Sequence, residues 1–155
     1  MAQLTYGYDT PKGVAGGIFD IAPYECNSRV SEEADGVIKF GMGVVIGASA
    51  GTGVKLATAT TDNFEGIVVH KAIEQDMSGN VSIKNGEAFS VMRFGGVWAR
   101  VDESVTIAAG DKVYLIVSGD KKGLFTNVST GALAVAGEFV TAAENGIAVV
   151  RLYNA

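Results

Sequence analysis

Residues 91–101 read VMRFGGVWARV, and their reading decides the fold. Branched and aromatic residues flank a glycine pair. Residues 89–94 and 97–101 therefore read as two strands, joined by Gly95-Gly96 as the two-residue loop of a β-hairpin. Outward from this point the pattern stays β. Upstream, residues 64–70 (FEGIVVH) form a strand, and residues 81–83 form a short run before Asn85-Gly86, a strong hairpin signal. Residues 37–46 read as one long strand, or a strand pair, bent at Gly41 and Gly43, because glycine inside a strand marks a bulge or a barrel corner. Downstream, residues 105–112 lead into a strand at 113–117, a loop at 118–123 and a returning strand at 124–127. Strands at 137–141 and 147–153 are joined through Asn145-Gly146. The best helix candidate, residues 130–136, is short and weak, and no window carries a 3.6-residue apolar stripe.

This spacing predicts an all-β chain, a small barrel or sandwich of about nine short strands over residues 33–155. Residues 1–32 differ in texture. They hold both prolines, Pro11 and Pro23, and read as an extended N-terminal arm with one short strand. The arm carries Leu4, Tyr6, Tyr8, Ile18, Phe19 and Tyr24, too many large apolar groups to stand free in water. It should lie on its own barrel or on a neighbour, and these six residues are the candidate interface.

Composition agrees with a turn-rich β domain. The 155 residues are 48% apolar and 19% charged, with 21 Gly against 2 Pro. That is about twice the usual glycine share, as many tight turns between short strands require. The net charge of -5 and scattered Lys and Arg argue against a nucleic-acid partner, which needs a basic stripe. No run approaches 18 apolar residues, so no membrane span is expected. The start, MAQLTYGYDTPKG, has no basic segment followed by an apolar one, so no signal peptide is expected.

Chemistry is sparse. Residues 47–53 (GASAGTG) follow a strand, yet Gly53 is followed by Val-Lys-Leu. A phosphate loop would have Lys and then Ser or Thr opening a helix. The loop reads as a flexible surface loop rich in small residues. His70 is the only histidine and Cys26 the only cysteine, too few for an ordinary zinc site, and no nucleophile elbow accompanies them. Residues 76–80 lack the spacing of a calcium loop. No catalytic residue, metal or cofactor is expected. Trp98, Tyr114 and Phe125 sit on strands, where core packing is the commoner fate and a sugar-binding platform the alternative.

Six segments in order, TPKGVAGGIFD (10–20), EADGVIKFGMGVV (33–45), FEGIVVH (64–70), VMRFGGVWARV (91–101), GDKVYLIVSGDKKGLFTN (110–127) and VVRLYN (149–154), resemble tailed-phage and prophage head decoration proteins, also called structural cement proteins. The resemblance implies a β-rich protein without catalysis, made in the bacterial host cytoplasm and placed on the outer surface of the virion's capsid. It implies the major capsid protein as partner, and a homo-oligomer, commonly a trimer. The alternative from the residues alone is a virion-associated carbohydrate-binding β-module for host adhesion. It would present Trp98 or Tyr114 on an open face.

Overall fold

A computed structural model describes residues 13–71 and 82–153, and every regular element among them is a strand. The strands are β1 (Glu25–Ser31), β2 (Gly43–Ile46), β3 (Gly53–Lys55), β4 (Phe64–Val68), β5 (Ala88–Arg100), β6 (Lys112–Ile116), β7 (Phe125–Thr126), β8 (Ala132–Phe139) and β9 (Ile147–Leu152). The sequence predicts an all-β barrel or sandwich of about nine short strands; the described residues form nine strands, five of which close a barrel.

Neighbours run β1-β3-β2-β4-β5, and β5 pairs back with β1, so five strands close a ring. All its pairings are antiparallel except β1 with β3. From β5 a second, antiparallel sheet continues as β5-β9-β8-β6-β7. It curls back on itself: Val101 bridges to Phe125, and the Asp102 amide donates to the Phe125 carbonyl at 2.9 Å. The 13-residue β5 belongs to both sheets.

The diglycine is therefore not a hairpin loop. Residues 88–94 pair with β1 and β4, and residues 95–100 pair with β9. Each half finds a partner with six paired residues, β1 for the first and β9 for the second. Folding the two halves onto each other would forfeit both ladders. Gly95-Gly96 instead bends one long strand as it passes between sheets. Gly95 has φ +114°, and a Cβ there would lie 2.6 Å from Cβ of Tyr24.

Three other sequence expectations change. Of residues 37–46 only Gly43–Ile46 is strand. The turns before it place Gly41 so that its amide donates to Val68 O and its carbonyl accepts from the Arg100 amide, both at 2.9 Å. Asn85-Gly86 is a turn, but residues 82–84 are not strand. The turn docks on the end of β1, with Gly86 N–H donating to Ser31 O at 2.8 Å and Asn85 N–H to Asp35 Oδ1 at 2.8 Å. Residues 130–136 are not helical; from Ala132 they begin β8. Asn145-Gly146 does form the expected tight turn, with φ +53° and +74° and Glu144 and Ile147 bonded across it.

Two apolar clusters fill the molecule. One gathers Ile38, Val44, Val54, Leu56, Val68, Ile83, Phe89 and Val91. The other takes Val45, Ile67 and Met92 together with the inner face of the second sheet, including Leu115, Phe125, Phe139 and Val150. Successive strand residues face opposite ways. Val44 and Val45, Ile67 and Val68, Val91 and Met92 thus divide between the inside of the ring and the interface of ring and sheet. Strands buried on both faces read as continuous apolar runs, which is how GVVI and GIV read here.

Candidate interaction surface

Residues 13–24 run across the outside of β5. The Gly16 amide donates to Trp98 O at 2.6 Å, the Trp98 amide to Gly17 O at 2.9 Å and the Phe19 amide to Gly96 O at 3.0 Å, while Ile18 bridges to Val97. β4 pairs β5 only at Met92 and Val91, which leaves the edge at 96–98 to this segment. Close approach requires Gly16, which has φ +80°; a Cβ there would sit 2.6 Å from the His70 nitrogen. The His70 amide in turn donates to Gly16 O at 2.8 Å. The segment is further clamped by Arg151, whose guanidinium meets the Asp20 carboxylate at 2.9 Å.

Backbone bonding fixes the segment while its side chains stay outside. Ile18, Phe19 and Tyr24, three of the candidate interface residues, are exposed, and so are Val14 and Ile21, which the sequence reading did not single out. Ile21 is 103% exposed, so its side chain stands fully open to solvent. No sequence period orients it, since it lies in a bend between Asp20 and Ala22-Pro23. Leu4, Tyr6 and Tyr8 lie outside the described residues. Trp98 is the pedestal: the Phe19 ring meets it edge-on, centroids 5.9 Å apart at 75°. A sugar platform needs an uncovered face, and Trp98 is half-buried under this segment. Tyr114 is half-buried and Phe125 fully buried.

The remaining polar groups hold loops. Glu32 accepts the amides of Ala48 at 2.7 Å and Ser49 at 2.8 Å, so the small-residue loop 47–53 wraps a carboxylate of its own chain. Those amides keep the Glu32 carboxyl below its usual range. At Asp102 burial pushes the carboxyl up, and the Lys121 ammonium at 2.7 Å with the Ser104 amide and hydroxyl more than reverses it. Burial, aided by the neighbouring Glu25 charge, raises the Cys26 thiol, which disfavours the thiolate a nucleophile needs. Among the described residues no three His, Cys, Asp or Glu gather as a metal site. Among the described residues the most developed feature is thus an apolar surface on a hydrogen-bonded support.

Comparison with known proteins places the chain beside phage structural proteins. A family model described as structural cement protein (E217 gp24/Pam3 gp6) matches residues 2–153. A chain in the solved capsid of Myoviridae phage XM1 has a similar fold, with a TM-score of 0.73 and 23% identity, covering 96% of this chain and 95% of that one. No curated protein matches.

Proposed function

Since this chain belongs to the structural cement protein family of phage, we propose that it binds the outside of the head and stabilises contacts between major capsid protein subunits. It is a structural component of the virion, and its family is structural rather than enzymatic. The proposed contact is the arm, through Ile18, Phe19 and Tyr24 with Val14 and Ile21 beside them, and with Leu4, Tyr6 and Tyr8 further along. The observation that carries this reading is a fully exposed Ile21 on a segment whose backbone is fixed by four hydrogen bonds to its own barrel. A pre-ordered apolar surface loses little conformational entropy on docking.

The physical mechanism is avidity. A protein that bridges two or three shell subunits makes its later contacts intramolecular, so modest contacts add to a firm hold. Trimerisation of the cement protein on the head would multiply this further. A ligand that binds only the assembled lattice stabilises it by about 2.7 kcal/mol per site at a hundredfold excess over Kd. Co-sedimentation with expanded heads lacking this protein tests the reading. Ile21→Asp and Tyr24→Asp should fold as the parent does and lose most head binding. Parent-like binding by both would overturn the arm assignment, and no binding by the unaltered chain would overturn the function.

A further inference from the structure

We propose that a groove beside the arm receives an acidic segment of the shell protein, flanked by apolar residues, with Lys39 and Arg100 as the cations that select it. This rests on the cement reading above and names the chemistry of the partner surface. The groove has a volume of about 380 Å³. Val14, Ile38, Phe40 and Ile83 form its apolar walls; among the described residues its polar lining includes Lys39, His70 and Arg100 and no carboxylate.

Among the described residues no acid pairs with these cations. Arg100 spends Nε on the Phe40 carbonyl, at 2.7 Å, and among the described residues its outer nitrogens form no ion pair. Neither it nor Lys39 has a carboxylate partner among the described residues. Glu87 pairs with Lys71 at 2.8 Å and Asp35 accepts the Asn85 amide. Arg100 also borders a neighbouring pocket with Asp102, which pairs with Lys121 at 2.7 Å, and with Glu103; neither acid lines the groove. The Phe40 ring leans on the His70 imidazole, centroids 4.7 Å apart, which fixes one side of the groove. The arm forms the other through Val14 and Ala15.

A chain of net charge -5 offers an acidic surface no long-range attraction. Fields from distant charges fade within about 8 Å in physiological salt, so local pairs decide the contact. Two cations between apolar walls are a local pair site. A guanidinium fork matches a carboxylate with two parallel bonds, and the walls accept the aliphatic neighbours of an acidic residue. Because Val14 belongs to both surfaces, one partner segment can lie across groove and arm together.

The test uses the full chain and expanded heads lacking it, at low and high salt. Lys39 is exposed, so Lys39→Glu should leave the melting curve unchanged while weakening head binding by about tenfold or more, the effect of setting like charges together. Lys39→Arg should bind as the parent does. Lys39→Gln should bind more weakly than the parent at low salt and converge with it at high salt. If Lys39→Glu binds like the parent while Ile21→Asp does not, the groove assignment is overturned and the cement reading stands. If the unaltered chain does not sediment with heads, both fall.

Discussion

Glu65 is the one buried carboxylate of β4, only 5% exposed, and its Oε1 accepts both Nε and an outer nitrogen of Arg29 at 2.7 and 2.6 Å. Cross-strand register puts Asn27, Arg29 and Ser31 opposite Val91, Phe89 and Val54, so β1 turns a polar row toward the inside of the ring. Removing one partner of such a pair strands a buried charge. Glu65→Leu should therefore cost about 3 kcal/mol in urea unfolding, and the double replacement Arg29→Met/Glu65→Leu should recover most of it. A double variant no better than the single one would mean that the pair does more than neutralise itself. At the surface, the amides of Ser49 and Ala48 hold the Glu32 carboxyl low, as those of Thr58 and Ala59 do for Asp62. Groups lowered on folding add stability above their unfolded values, about 4.5 for Glu and 3.8 for Asp, and lose it as pH falls through the folded ones. The urea midpoint should drop below about pH 4.5, and Glu32→Gln with Asp62→Asn should flatten that drop. The partners of Glu65 and Glu32 were not legible in sequence, because they lie 36 and 16 residues away.

At the scale of elements, β5 carries the architecture. Gly95 combines φ +114° with contact against Tyr24, so any side chain there meets strain and a neighbour at once. Gly95→Val should destabilise by about 1–3 kcal/mol, measured by denaturant unfolding, with Gly96→Ala milder because a Cβ at Gly96 meets the Phe19 side chain no closer than 3.4 Å. If Gly95→Val is neutral, the bend is not fixed where the structure puts it. This element also marks what sequence reading reaches. Strand content, the 145–146 turn and the absence of helical stripes follow from local residue types and period. Whether a glycine pair turns a chain back or bends it does not, because that choice depends on which distant strands, β1 and β9, take up the two halves. The segment 130–136 fails for the same reason. Its Ala-rich composition suits a helix, but pairing with β6 places Leu133 in the core while Ala132 and Ala134 stay outside.

At the scale of the molecule, residues 1–32 stood out in the sequence as a surplus of apolar groups outside the barrel pattern, and of their six candidate residues Ile18, Phe19 and Tyr24 are exposed. The groove beside it was not, since Lys39, His70 and Arg100 are joined only by the closure of the ring. That closure bears on how the protein bears load. β5 supplies Phe89 and Val91 to the smaller core and Met92, Val97 and Ala99 to the larger one, so neither core can open without breaking the ladder of the other. Two sheets joined through one strand should then unfold together. The expected result is a single thermal transition with equal calorimetric and van't Hoff enthalpies. The slowest-exchanging amides should lie along β5 from Met92 to Ala99, with Phe19, bonded only at the surface, exchanging sooner. Two separated transitions, or protection in β5 no greater than in the arm, would show that the ring and the second sheet are independent units and that pulling on one need not load the other. A single transition means that force applied at the arm, through the bonds of Phe19 and Gly16 to residues 96–98, reaches both cores through the same strand.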